Sequence, residues 1–326
     1  MPSIERPAPA RPSPPRRGRP RWWGGAVVAL ALVAATTLSV PSAGAAPTLP
    51  IGTLSGGIAQ ALVAPRSVAG ANDWFCRPSA AHPRPVVLVH GTLEAVSVNW
   101  SALSPLLKNE GYCVFTLSYG ENLLSLNGRL PGLGDIADSA RELRTFVDTV
   151  RFWTGASKVD IVGHSQGGMM PNYYIKKLGG ASKVGTFIGL SPSNHGTTLS
   201  GLTTLGQQLG LLGLADAVLG VTTPALSQQI AGSSFQTNLF SGGDTVAGPR
   251  YTVITTTKDL VVTPHTNGYL SGPNVENITI QNQCPTDPVG HIGISYDWPA
   301  QQNVLNELGA NVANFTPVCT GFGIGV

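Results

Sequence analysis

The 326-residue sequence has only four cysteines, and no two of them stand as a Cys-x-x-Cys pair. Zinc-ribbon and dithiol redox readings therefore have little support. No internal repeat is visible, which excludes solenoid and propeller architectures. Long apolar runs are also missing. The most apolar N-terminal stretch, residues 26–40, is shorter than the roughly 20 residues a helix needs to cross a bilayer. Excess charge of one sign is scarce as well, once the N-terminal region is set apart. The chain has 20 Lys and Arg against 17 Asp and Glu, a formal +3. Arg6, Arg11, Arg16, Arg17, Arg19 and Arg21, with Glu5, give residues 1–45 a net +5 and leave residues 46–326 near −2. No basic stripe survives there, so nucleic acid is not an implied partner.

Those first 45 residues read as an export signal. A basic n-region precedes the apolar run 26–40, and Ala43, Gly44 and Ala45 offer small residues for cleavage after Ala45. Arg16-Arg17 raises the twin-arginine route, while Pro20 stands where that route wants an apolar residue. The expectation is a secreted protein with no stable membrane span. In an oxidising compartment Cys76, Cys113, Cys284 and Cys319 should form two disulfides. Three pairings are possible, and spacing does not choose among them.

Residues 46–70 are rich in Ala, Gly and Pro and are expected to lie along the surface. Beyond them strands and helices alternate. Residues 85–91 (PVVLVHG), 112–118, 158–162, 184–190, 250–257 and 277–281 read as strands, several of them apolar throughout. Helices are expected from Asn99 or Ser101 to Asn109, from Asp135 to Gly155, at 166–178 and at 304–308. In the second of these, Ile136, Ala140, Leu143, Val147 and Val150 form one apolar stripe, with Asp135 as N-cap. Alternation with buried strands implies an α/β fold whose mostly parallel sheet is covered on both faces.

The stretch VDIVGHSQGG, residues 159–168, places Ser165 between a strand and a helix, with Gly163 and Gly167 two positions away on either side. Gly-x-Ser-x-Gly alone is a weak signal. In a strand–turn–helix it marks a nucleophile elbow, where side chains at the glycines would block the helix from packing back on the strand. Pro171 inside that helix should kink it. A serine nucleophile needs a base, and the base needs an orienting acid, which in this fold follow in the order Ser, acid, His. Asp259 follows a convincing strand and is favoured over Asp287 and Glu276. His291 lies after the last strand and before the final helix, where the base should arrive. His265 is expected on the rim or surface, His195 breaks the order, and His164 should pack or hydrogen-bond structurally. The oxyanion donors are expected to be the backbone N–H groups of Gln166 and Thr92, with Leu93 as the near alternative to Thr92.

Taken together, PVVLVHGT, GYCVF, KVDIVGHSQGG, LSPSNHGT, the strand ending at Asp259 and the segment 284–291 resemble the secreted actinobacterial lipases of the α/β-hydrolase superfamily. They are similar to class 2 lipases and to yeast-type lipase B. The resemblance spans about residues 70–310. It implies hydrolysis of carboxylic esters of lipids without a cofactor or metal, with Ser165, Asp259 and His291 as triad and Thr92 and Gln166 at the oxyanion. It also implies the pairs Cys76–Cys113 and Cys284–Cys319.

Residues 184–243 contain one formally charged residue, Asp216. Leu199, Leu202, Leu205, Leu209 and Leu212 recur every three or four positions, and Leu214, Val218, Leu219 and Val221 continue the apolar character. The expectation is a cap over an acyl pocket, at about 196–247 within a single catalytic domain 46–326. Ordinary buried core is the competing reading. A polyesterase or small-ester esterase would use the same triad, and a hydrolase-fold binding protein would lack part of it.

Overall fold

Six strands, all parallel, form one sheet: β1 (Val86–Val89), β2 (Val114–Leu117), β3 (Val159–His164), β4 (Val184–Leu190), β5 (Arg250–Thr255) and β6 (Val275–Thr279). Their order is β2-β1-β3-β4-β5-β6. The structure is a computed structural model and describes residues 48–210 and 223–326. The export signal and Leu212, Leu214, Asp216, Val218, Leu219 and Val221 lie outside the described residues.

Strand order reverses at β1. The chain steps outward to β2 and then crosses back to β3. Open α/β sheets bind ligands beyond the carboxyl ends of the strands at such a reversal. Side chains along β1, β2, β3 and β5 alternate between two cores, as a two-residue repeat requires. From β1, Val87 and Val89 enter one cluster, and Val86 and Leu88 enter the other.

The first core is closed by α4 (Ile136–Thr154) and α5 (Gln166–Lys177). The expected stripe of α4 is buried, Asp135 accepts from the Asp138 N–H at 3.0 Å, and Gly155 ends the helix at φ 72°. The second core is closed by α2 (Val96–Trp100), α3 (Leu103–Asn109) and α10 (Trp298–Leu308).

Several element boundaries differ from the sequence reading. The helix expected to end at Asn109 is two helices, because Pro105 has no N–H to continue the ladder back to Ser101. β6 ends at Thr279, where the short helix α9 (Ile280–Gln283) begins; Cys284 N–H closes it on the Ile280 carbonyl at 2.7 Å. α10 starts six residues before 304, because the Asp297 carboxylate caps the Ala300 N–H at 2.8 Å. Residues 46–70 include a helix, α1 (Leu54–Ala61). It lies tightly on α2: a Cβ on Gly57 would sit 2.4 Å from the Ser97 carbonyl oxygen. Pro171 is accommodated inside α5.

Within the segment 196–247, α6 (Leu199–Gln208) packs Leu202 and Leu205 beside Leu93, Val261 and Ile292. By contrast, α7 (Pro224–Gln228) and α8 (Ser234–Phe240) place Ala225 and Leu239 in the first core. Both disulfides implied by the resemblance are present, Cys76–Cys113 and Cys284–Cys319.

Candidate active site

β3 ends at His164 and α5 begins at Gln166, leaving Ser165 alone in the turn at φ 54°, ψ −121°. A non-glycine residue there is strained by about 1–3 kcal/mol and persists only where its surroundings hold it. The flanking glycines show how. A Cβ on Gly163 would lie 1.8 Å from the Gly167 carbonyl oxygen, and one on Gly167 would lie 2.1 Å from that of Val89. Side chains at either position would push α5 off β1 and β3. Gly91, past the end of β1, is also close: its added Cβ would meet the Ser165 Cβ at 3.1 Å. The loop after β1 therefore lies directly against the elbow.

His291 is buried, and its Nδ1 is 2.8 Å from the Asp259 Oδ2. The other Asp259 oxygen accepts from the N–H groups of Val261 and Val262, each at 2.8 Å. Burial works against a charged carboxyl here, but the adjacent imidazole and the two amides outweigh it and hold Asp259 below the usual carboxylate range. The remaining ring nitrogen, Nε2 of His291, is buried with no hydrogen-bond partner among the described residues.

The alternatives lie elsewhere. Asp287 accepts from the Val289 N–H at 2.9 Å and sits beside Asp297, whose carboxyl is pushed up to about 7, chiefly by burial. Glu276 points off β6, exposed. His195 lies 3.4 Å from Asp244, and His265 stands edge-on to Tyr269.

Thr92 and Gln166 are both buried and joined by their side chains. The Gln166 amide donates to Thr92 Oγ1 and to the Gly132 carbonyl, each at 2.9 Å. Gln229, just beyond α7, donates to the same hydroxyl at 2.9 Å. Leu93 is the weaker oxyanion candidate, because its N–H already binds the Pro131 carbonyl at 2.8 Å. Among the described residues, no partner occupies the backbone N–H of Thr92 or of Gln166.

Three features were missed by the sequence reading. Glu94 and Asn99, in the segment after Gly91, are buried and bind His164 and Gly91. Residues 323–326 run along the His291 loop: Ile324 accepts from the Gly290 N–H at 3.0 Å, and Val326 accepts from Ile292 and Gly293 at 2.8 and 2.9 Å. Finally, α1 walls an apolar cavity of about 200 Å³, lined by Leu54, Ile58, Leu62, Leu93, Leu209 and Ile292 among others. Two of its lining residues, Leu93 and Ile292, are the chain neighbours of Thr92 and His291. A wider groove of about 670 Å³ along α4, lined by Asp148, Phe152 and Trp153, holds none of these residues.

The family model for lipase (class 2) matches residues 83–292. The chain belongs to the class 2 lipase family. That span runs from the approach to β1 through His291, so it contains every polar residue of the cluster. The fold of the chain resembles that of Aspergillus fumigatus lipase B, with 20% identity and a TM-score of 0.54. The match covers 81% of this chain and 59% of that one, so the chain spans under two thirds of that lipase's length. A Bacillus licheniformis lipase in mature form matches at 17% identity and TM-score 0.47, over 62% of this chain and 85% of that one. A Paleococcus ferrophilus monoacylglycerol lipase matches at 17% identity and TM-score 0.47, over 73% and 97%.

Proposed function

We propose that this class 2 lipase hydrolyses carboxylic esters of fatty acids through an acyl-enzyme on Ser165, acting outside the cell after loss of residues 1–45. One observation carries the reading: a buried histidine is fixed by a carboxylate through Nδ1 while its Nε2 has no partner, and it accompanies a serine strained into the turn at β3–α5. Asp259 fixes the tautomer with Nδ1 protonated, so Nε2 carries the lone pair. His291 Nε2 takes the proton of Ser165 as Oγ bonds to the ester carbonyl carbon. The resulting oxyanion is held by the N–H groups of Thr92 and Gln166, and the Gln166 N–H also stands at the positive end of the α5 dipole. His291 returns the proton to the leaving alkoxide. A water then repeats the sequence on the acyl-enzyme and releases the acid. The reaction as written balances without a metal or cofactor.

The cavity between α1 and α6 takes the acyl chain. Its lining is mainly aliphatic, and its volume lies below the range of about 300–1,000 Å³ usual for ligand pockets, so medium chains should fit it best. The C-terminal end of α6 lends Gln208 to the lining, and its N-terminal end lies against the acid loop: Thr197 Oγ1 donates to the Val261 carbonyl, and a Cβ on Gly201 would sit 2.1 Å from that oxygen. Both disulfides suit an oxidising compartment, and no described helix is long and apolar enough to cross a membrane.

The test is a series of chromogenic esters from acetate to palmitate, run with wild type, Ser165→Ala and Ile58→Trp. Activity that peaks at medium chains, vanishes in Ser165→Ala and shifts to shorter chains in Ile58→Trp is the expected result. Organophosphonate labelling of a different serine would overturn the assignment. Equal rates on acetate and decanoate would leave a small-ester esterase.

A further inference from the structure

A second histidine–carboxylate pair lies beside the first. His164 and Glu94 are both buried, with His164 Nδ1 2.7 Å from Glu94 Oε2. The His164 and His291 rings are 4.9 Å apart between centroids. His164 Nε2 lies 2.9 Å from the backbone carbonyl of His291. A carbonyl can only accept, so Nε2 carries a hydrogen. The 2.7 Å contact then needs one further proton between Nδ1 and Oε2, and whichever atom holds it, the pair is neutral overall.

Each end of this pair is fixed to a different loop. Asn99 Oδ1 accepts from the Gly91 N–H at 2.8 Å, in the loop that carries Thr92 and Glu94. Because that contact sets the amide's orientation, Nδ2 faces inward and donates to Ser295 Oγ at 3.0 Å, just past His291. The same Nδ2 lies 3.2 Å from His164 Nδ1. His164 itself belongs to the strand that ends in the elbow. Three segments far apart in sequence therefore meet at one side chain: the loop after β1, the elbow and the His291 loop.

We propose that His164 and Glu94 are positioning residues, a charge-neutral pair that fixes the His291 backbone and the Thr92 loop relative to Ser165. The proposal rests on the reading of Ser165, His291 and Thr92 given above. The titratable groups facing His164 are Glu94 and His90 from the β1 side and Asp259 and His291 from the other. His90 is pushed down to about 4, mainly by burial, and stays neutral. Burial also opposes charge on His164, but Glu94 and the His291 carbonyl outweigh it and raise its pKa.

The substitutions separate positioning from packing. Glu94→Gln keeps the bonding pattern, since its amide can donate to a neutral His164 while His164 still donates to the His291 carbonyl. Glu94→Ala leaves Nδ1 without that partner. His164→Gln leaves the Glu94 carboxylate unbalanced near His291, and the double variant His164→Gln/Glu94→Gln removes that charge. On a chromogenic butyrate ester, Glu94→Ala should lower kcat about 10- to 100-fold with little change in KM, the size of effect seen for groups that orient a functional histidine. Glu94→Gln should recover most of that loss. The acidic limb of the kcat profile should move to higher pH in His164→Gln, because a nearby negative charge favours protonated His291. It should return in the double variant. A Glu94→Ala protein with lower Tm but kcat within about threefold of wild type would show that the pair only packs the core, and so would a limb that stays put in His164→Gln. If instead wild type does not hydrolyse the ester, or Ser165→Ala does, the underlying functional reading fails and these variants are not what failed.

Discussion

The two buried histidine–carboxylate pairs are nearly the same object in isolation. Nδ1 meets a carboxylate oxygen at 2.8 Å in His291–Asp259 and at 2.7 Å in His164–Glu94, and all four side chains are within about 1% of full burial. They differ at the far side of the ring. His164 Nε2 is held by a carbonyl, whereas His291 Nε2 has no partner among the described residues. Their carboxylates differ too. Both Asp259 oxygens accept hydrogen bonds, while Glu94 Oε1 is buried with no partner among the described residues. A histidine whose two nitrogens are both engaged can hold structure but cannot exchange a proton with substrate. One with a single engaged nitrogen can serve as a base, so the pairing alone does not identify the base.

The comparison breaks most visibly under the same substitution in each pair. Asp259→Asn should lower kcat by about 10⁴, because an amide no longer fixes the tautomer that leaves Nε2 as acceptor. Glu94→Gln should cost less than about tenfold, since its amide supports the tautomer already required at His164. Steady-state rates on one chromogenic ester decide this, and similar losses in both variants would erase the distinction.

A smaller effect concerns what holds the His291 loop from outside. Cys284–Cys319 closes a sequence separation of 35 residues around it. Replacing both cysteines by serine should cost roughly 2–4 kcal/mol and also lower kcat, because residues 323–326 brace Gly290, Ile292 and Gly293. Removing Cys76–Cys113 should lower stability by a similar amount with kcat preserved in the folded protein. Thermal melts paired with rates at 25 °C separate the two.

The smallest effect is in stability against pH, where the pairs should act in opposite windows. The Asp259 pKa is depressed on folding. Its contribution is present above the unfolded carboxyl value of about 3.9 and is lost as pH falls through the lower folded value. The His164 pKa is raised. Its contribution is full below the unfolded histidine value of about 6.5 and is lost as pH rises through the higher folded value. The Tm gap between wild type and Asp259→Asn should therefore close toward acid, and that for Glu94→Gln should close toward alkali. Each kcal/mol corresponds to about 2–4 °C in a domain of this size. Parallel gaps across pH would contradict the assignment of opposite shifts.

Much of this architecture is legible in the sequence because it rests on local signals. Apolar runs give β1, β3, β4 and β5, and the three-and-four spacing from Ile136 gives α4. The glycines around Ser165 give the elbow, since their role is steric and nearby in sequence. Asp259 and His291 follow from their places after strands. What stays hidden depends on distant partners. Glu94 looks like an exposed acid in a loop until His164, 70 residues away, is brought against it. Asn99 and Gln229 are ordinary polar residues until their contacts form. Helix α1 is obscured by Gly56 and Gly57, which read as breakers although Gly57 is what permits contact with α2. The bracing of the His291 loop by residues 323–326 has no periodic pattern to betray it.

That bracing has a consequence for how the protein comes into being. Chains are made from the N-terminus, and early segments can fold while later ones are still being synthesised. Here the parts of the site arrive in a fixed sequence. Thr92, Ser165 and Gln166 come first, Asp259 next and His291 late, and Ile324 and Val326, which steady the His291 loop, come after it. A chain made only past the elbow has Ser165 but neither the His291–Asp259 pair nor the backbone bonds that steady the His291 loop. On the mechanism proposed above, ester hydrolysis therefore waits for the synthesis of Ile324 and Val326.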